Sequence, residues 1–272
     1  MDYENYSVLM TVYKKDNPKY FYQSLESMLT QSVTPSEVVL IKDGGITEEL
    51  QGVIDELEIV YPNIIKVINL QDNVGLGVAL RIGVQRCKYE LIARMDSDDI
   101  SLSDRCKLQL EAFANNPKLD IVGYSIKEFS GNVENIVGER KVPENNKEIY
   151  KFAKLRDPFN HPTVMFRKSK VLSSGNYGVY RKNQDTDLWI KMLSHNAVCM
   201  NLSADQFRFR FDEDTYSRRR NWLNTRSLLK IRYQAWKDGY NNLLELLIIC
   251  IGQLVRQLFP IEAQKLVYRL IK

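Results

Sequence analysis

Three carboxylates follow directly on an apolar run, where Leu91-Ile92-Ala93-Arg94-Met95 leads into Asp96-Ser97-Asp98-Asp99. A core strand cannot carry that much negative charge inward, because an unpaired carboxylate loses its hydration there. The acids must therefore stand at the strand's end, where a divalent cation could neutralise them. Asp96 and Asp98 are two positions apart, so they share one side of a continuing strand or converge across a tight turn. Hard oxygen donors favour Mg2+ or Mn2+, and a magnesium site of few carboxylates completes its shell with water and phosphate oxygens. The spacing points to a diphosphate-containing ligand. A local alternative stands beside it: Asp98 and Asp99 could cap the following helix or close Asx-turns with no ion.

Other residues offer chemistry at lower specificity. Gly75-Leu76-Gly77 begins like a dinucleotide fingerprint, but the third glycine position is Leu80, and no GxxxxGK[ST] phosphate loop occurs anywhere in the chain. Asn73, Gly75 and Gly77 instead suit a tight turn into a helix, and Arg81, one turn in, could reach a nucleotide or simply be a solvated helix cation. Asp43 precedes Gly44-Gly45; its carboxylate could accept the N–H of a pyrimidine base, or could do no more than form an Asp-Gly turn. Asp185 and Asp187 lie at the start of an amphipathic pattern, where a carboxylate either caps the helix or acts as a general base toward an acceptor hydroxyl. His161 and His195 are the only histidines, which excludes a multi-histidine metal cluster. His161 reads as a structural or site-wall residue, His195 as a cation at a helix C-terminus.

Residues so placed need a series of strands to hold them. Apolar, β-branched runs at 6–13, 37–42, 64–70 and 90–95 alternate with helical patterns at 18–31, 47–61 and 75–88. That alternation predicts βαβ units and a mostly parallel sheet, with ligands at the carboxyl ends of the strands. Thr11-Val12-Tyr13, Asp43, Asn73 and the Asp96–Asp99 acids all fall at such ends. A helix with Ser101 or Ser103 as N-cap is expected to about residue 115, then a strand over 120–129. Residues 130–160 read as a turn-rich insertion over the sheet edge that could hold part of an acceptor site. A strand at 161–167 and a helix at 184–193 follow.

At 272 residues and 44% hydrophobic, the chain can bury a large core. Its four widely spaced cysteines carry no CxxC pair and read as free thiols in a reducing compartment. The acidic start, Met1-Asp2-Tyr3-Glu4-Asn5, does not resemble a secretory signal. The net charge of +4 is unevenly spread: residues 217–272 hold eleven basic and three acidic side chains, a net +8, which leaves −4 for residues 1–216. A basic helical tail of this kind could face anionic lipid or nucleic acid, or be an ordinary solvated surface. Its most apolar run, 243–252, contains Glu245 and is too short to span a bilayer.

Ser7-Val8-Leu9-Met10-Thr11-Val12-Tyr13, Pro35-Ser36-Glu37-Val38-Val39-Leu40-Ile41-Lys42-Asp43-Gly44-Gly45, Asn73-Val74-Gly75, Asp96-Ser97-Asp98-Asp99, His161-Pro162-Thr163-Val164-Met165-Phe166-Arg167 and Asp185-Thr186-Asp187-Leu188-Trp189 occur in that order. Together they resemble the family 2 glycosyltransferases of GT-A fold, particularly non-processive bacterial enzymes of capsule, O-antigen or exopolysaccharide synthesis. The resemblance implies an α/β fold with a Rossmann-like, mostly parallel sheet between helices and a helical C-terminal tail. Residues 1–216 would form the catalytic domain, with a donor part over 1–115 and an acceptor part over 116–216, and 217–272 a basic amphipathic tail. It further implies inverting, metal-dependent transfer of one hexose, from UDP-galactose or UDP-glucose, to a lipid-diphosphate-linked sugar. In that frame Thr11 and Tyr13 line the nucleotide cleft, Asn73 shapes its turn, Asp43 binds the base, and Arg81 supports base or phosphate. Asp96 contacts ribose or the metal's shell, Asp98 holds Mn2+ or Mg2+, and Asp185 is the catalytic base. His161, Asp99 and Asp187 are auxiliary or acceptor-side residues, Asp187 being a rival for the base.

Two departures bear on these roles: Lys42 and Gln184 replace acids that are common in the family. Processive relatives carry Gln-x-x-Arg-Trp, which Arg218-Arg219-Arg220-Asn221-Trp222 only approaches. The expected setting is the cytoplasm, peripheral on the inner membrane face through contact with anionic lipid, with no nucleic-acid partner. A sugar nucleotidyltransferase, or a non-catalytic membrane- or nucleic-acid-binding protein, is the alternative reading.

Overall fold

The computed structural model describes residues 3–211 and 222–258. In its first half β1 (Tyr6–Val12), β2 (Glu37–Lys42), β3 (Ile65–Asn69) and β4 (Leu91–Arg94) alternate with α1 (Pro18–Leu29), α2 (Glu48–Val60) and α3 (Leu76–Arg86). Local chemistry sets the helix starts: Asn17 accepts the N–H groups of Lys19 and Tyr20 ahead of Pro18, and Thr47 accepts that of Leu50. The four strands pair in parallel in the order β3-β2-β1-β4. Such strands are buried on both faces, so they read as continuous apolar runs. Val8 and Met10 enter one core with Phe21, Leu25 and Met28, whereas Leu9 enters the other with Val39, Ile41 and Leu80. Each fully buried aliphatic of this kind contributes about 1.5–3 kcal/mol.

The second half extends the sheet and adds another. In chain order it comprises β5 (Ile100–Ser101), α4 (Arg105–Asn115), β6 (Ile121–Tyr124), β7 (Ile126–Phe129), β8 (Ile136–Arg140) and α5 (Asn146–Ala153), and then a 3-10 turn at His161–Thr163. After the turn come β9 (Met165–Arg167), α6 (Lys168–Ser173), α7 (Gln184–Ser194), β10 (Cys199–Leu202) and β11 (Phe207–Arg210). The helices α8 (Trp222–Lys237) and α9 (Leu243–Leu258) complete the described chain. The seven-stranded sheet has the order β10-β6-β9-β4-β1-β2-β3, with β9 antiparallel to both neighbours. A four-stranded sheet, β5-β11-β7-β8, begins with the strand immediately after the acids.

Three expectations are corrected. Residues 120–129 are not one strand, because the Tyr124 N–H goes to Thr163 Oγ1 and its carbonyl accepts from Asn160 Nδ2. With that backbone taken, the chain leaves the large sheet after β6 and enters the small one as β7. Residues 161–167 begin as a 3-10 turn around Pro162, which has no N–H to give a ladder, and become a strand only at Met165. The helix after the acids has Asp104 as N-cap, since Ser101 is in β5 and the Ser103 carbonyl accepts the Ser32 N–H.

Within the 130–160 insertion, β8 pairs with β7 and α5 packs near α7. Cys87, Cys106 and Cys199 are buried free thiols, and Cys250 is free and half-buried. Helix α8 packs on the preceding elements: Ile231 and Ala235 cluster with Ile190 of α7, and Arg232 donates to the Ala153 carbonyl at 2.8 Å. Arg218, Arg219, Arg220, Lys265, Arg269 and Lys272, which contribute to the tail's charge, lie outside the described residues.

Candidate active site

A cleft of about 550 Å3 opens at the carboxyl ends of β1, β2 and β4. Its lining includes Thr11, Tyr13 and Asp16 after β1, Asp43 after β2, Asn73 and Gly75 before α3, and Asp96, Ser97 and Asp98 after β4. Arg181, Lys182, Phe209 and Asn224 close it from the second half of the chain. The volume falls in the range of pockets that hold a nucleotide-sized ligand.

The acids are held by buried cations. Arg94, 1% exposed, forms an ion pair through Nη2 with Asp96 Oδ1. Arg105, fully buried, donates to the Arg94 carbonyl at 2.7 Å and so braces the same strand. Arg210 N–H donates to Asp99 Oδ1 at 2.8 Å, while its guanidinium donates to the Asp98 carbonyl at 2.7 Å and lies 3.8 Å from the Tyr20 ring. Carboxylate oxygens of Asp96, Asp98 and Asp99 lie within 4.8 Å of one another. Burial, then the charges of Asp98 and Asp96, push the Asp99 carboxyl well above its usual range, and its Oδ2 has no hydrogen-bond partner among the described residues. A crowded set of hard oxygens, with Asp99 Oδ2 unpartnered among the described residues, fits a divalent cation such as Mg2+ or Mn2+. Asp16 joins this negative side of the cleft; burial, Asp98 and Asp96 raise it to about 7 against a backbone hydrogen bond from Tyr13.

The Asp43 carboxylate is already engaged. It accepts the Val74 N–H at 2.7 Å, the Gly75 N–H at 3.0 Å and Asn73 Nδ2 at 3.0 Å, which ties β2 to the turn before α3. Lys42, the departure beside it, turns away to Gln51 at 2.7 Å. Arg81 is exposed on α3 and is not among the residues lining the cleft, the position that the solvated-cation reading of its spacing describes. The cleft's cations are Arg181 and Lys182, brought in from a loop roughly a hundred residues away.

Asp185 occupies the second position of α7, beyond the N-cap Asn183, which makes no capping bond. It is half-buried, and burial followed by the charge of Asp157 pushes it up to about 6, against pulls from the Thr186 N–H, its own N–H and Arg94. A carboxylate tuned upward is suited to take a proton near neutral pH. Asp187 is differently placed: its Oδ2 pairs with Lys191 Nζ at 2.6 Å. His161 hydrogen-bonds Tyr177 Oη through Nε2 at 2.8 Å and meets Trp189 edge-on. Burial and Arg94 hold its imidazole far below the usual range, hence neutral. His195 is the C-cap of α7. Sequence reasoning passed over Asp16, Arg94, Arg181, Lys182, Phe209 and Asn224. Arg94 alone carried a signal, as a lone cation inside an apolar strand.

This arrangement, with acids at the carboxyl edge of an open, mostly parallel sheet facing a nucleotide-sized cleft, defines the GT-A class of glycosyltransferase. The profile of glycosyl transferase family 2 matches residues 7–175, and the chain belongs to that family. It is similar to the Escherichia coli UDP-Gal:alpha-D-GlcNAc-diphosphoundecaprenol beta-1,3-galactosyltransferase, at 34% identity over 98% of this chain and 96% of that protein. It is also similar to the Erwinia amylovora amylovoran biosynthesis glycosyltransferase AmsE, at 31% identity over 97% of each. Among solved structures, the Pyrobaculum calidifontis mannosyltransferase PcManGT, in complex with GDP-Man and Mn2+, superposes with a TM-score of 0.66 at 12% identity, over 88% of this chain and 66% of that one.

Proposed function

We propose that the protein transfers one hexose, galactose in the first place, from a UDP-sugar to a hydroxyl of a sugar carried on a lipid diphosphate, in surface polysaccharide synthesis. The observation that carries this is the convergence of Asp96, Asp98 and Asp99 within 4.8 Å at the edge of the cleft. Similarity over nearly the whole length to a galactosyltransferase acting on a lipid-diphosphate-linked GlcNAc supports the choice of donor and acceptor.

Asp98, with Asp96 and Asp99, would hold a divalent cation, which when bound offsets the charge that builds on a departing nucleoside diphosphate. Thr11 and Tyr13 wall the nucleotide side of the cleft, and Asp43 shapes it by fixing the turn at Asn73–Gly75. Asp185 takes the proton from the attacking acceptor hydroxyl. Asp187 is committed to Lys191 and does not compete for that proton. Direct attack without a carboxylate nucleophile inverts the anomeric centre.

A lipid-linked acceptor places the reaction at a membrane surface, here the cytoplasmic face. Leu247, Ile251 and Leu254 of α9 are exposed, and the tail carries net +8, both suited to an anionic bilayer. Among the described residues no helix is long and apolar enough to cross a membrane. The test is release of UDP from UDP-galactose by the full chain, with and without Mn2+ and a GlcNAc-diphosphate-lipid acceptor. Expected is release that needs both; release without acceptor, or none with any hexose donor, refutes the proposal.

A further inference from the structure

The loop before α7 is seated on the donor-side turn with little room to spare. Arg181 Nη1 donates to Asn73 Oδ1 at 2.9 Å and Nη2 to the Asn73 carbonyl at 2.9 Å. The amide of Asn73 donates in turn to Asp43 Oδ2, so its orientation is set from both sides. A Cβ on Gly75 would stand 2.8 Å from Arg181 Cγ, and one on Gly77 would stand 2.6 Å from the Gly178 carbonyl. Gly75 also has φ +88°, which side chains rarely adopt. The Gly75-x-Gly77 pattern is thus a seat for residues 178–181.

Arg181 has five N–H groups, and two go to Asn73, so three have no partner among the described residues. The same residue lines the cleft that Asp16, Asp96 and Asp98 also line, and Lys182 lines it too. Two cations and three carboxylates lining one cleft suit a ligand whose diphosphate meets both a divalent cation and a guanidinium.

We infer that Arg181 is a donor-binding residue: anchored on Asn73, its guanidinium receives the diphosphate of the nucleoside-diphosphate sugar, whereas the family resemblance had implied Arg81 as support for base or phosphate. Because Arg181 lies four residues before Asp185, the diphosphate and the proton-accepting helix are joined by one short segment of chain. The inference rests on the proposed use of this cleft for a nucleoside-diphosphate donor.

Calorimetric titration of the full chain with uridine and with UDP, in Mn2+, tests it. Arg181→Gln is expected to weaken UDP by about ten-fold or more while uridine stays within about two-fold, since a charge-assisted hydrogen bond is lost only on the diphosphate. Arg181→Lys should recover part of that loss. Arg86→Gln, an exposed arginine of α3 outside the cleft, should leave UDP within about two-fold. UDP unchanged by Arg181→Gln, or uridine and UDP weakened equally, overturns the inference and leaves Arg181 a loop anchor only. If Arg181→Gln does not fold, the Arg181→Lys ratio of UDP to uridine decides on the same terms. Wild type that binds no UDP refutes the proposed function itself, an outcome distinct from wild-type binding that ignores Arg181.

Discussion

Asp185→Asn should remove catalysis and, at the same time, make the protein more stable at alkaline pH. The carboxyl is raised from 3.8 to about 6, first by burial and then by the charge of Asp157. A folded-state pKa above the unfolded value means that the proton favours the fold. The cost of the charged form is absent below about pH 4, grows between about pH 4 and 6, and is complete above that. About 2 pK units correspond to about 3 kcal/mol, and the half-buried position, screened by solvent, reduces this to about 1–2 kcal/mol. Asparagine keeps the shape and removes the charge, so the variant should exceed wild type by about 1–2 kcal/mol near pH 8 and by about half that near pH 5. For a chain of this size that is a rise in Tm of about 2–6 °C near pH 8. Denaturant melts of both proteins at the two pH values measure the difference. Transfer should fall by about 100-fold or more, as expected for loss of a general base, with UDP affinity within a few-fold. Wild-type kcat should fall as pH drops through about 6. Near-wild-type turnover by the variant refutes the role of Asp185; equal stability differences at both pH values refute the buried-charge argument.

Four further perturbations follow from the geometry. Asp98→Asn should reduce transfer by about 100-fold or more and abolish Mn2+ binding measured by electron paramagnetic resonance, because one of the three converging carboxylates is lost; unaltered Mn2+ affinity excludes Asp98 as a ligand. Asp187→Asn, which breaks the pair with Lys191, should cost about 1 kcal/mol in urea melts near pH 7 yet keep kcat within about ten-fold, and a collapse of kcat in a folded variant would return it as the base. Gly77→Ala should cost about 1–3 kcal/mol in the same melts and impair transfer, since its Cβ displaces residues 178–181; a neutral substitution contradicts the close seating. On the tail, Leu247→Glu with Ile251→Glu should weaken sedimentation with anionic vesicles while sparing transfer to a soluble acceptor, and unchanged sedimentation removes α9 from the membrane contact.

The chain's local pattern determined the alternating strands and helices, the parallel sheet, and the acids at the end of β4, because hydrophobic periods and the cost of burying charge act over a few neighbouring residues. It also marked Asp43, Asp98 and Asp185 as residues with chemistry to offer, without deciding their partners. Those decisions depend on contacts distant in sequence. Arg181 meets Asn73 across 108 positions and Arg210 meets Asp99 across 111, and no local spacing distinguishes either arginine from the exposed Arg81. The break of 120–129 into two sheets likewise turns on Asn160 and Thr163 capturing the backbone of Tyr124. Periodicity records which face of a segment is buried; only the assembled fold decides which charged and polar groups meet there, because those pairings arise when remote segments are packed side by side.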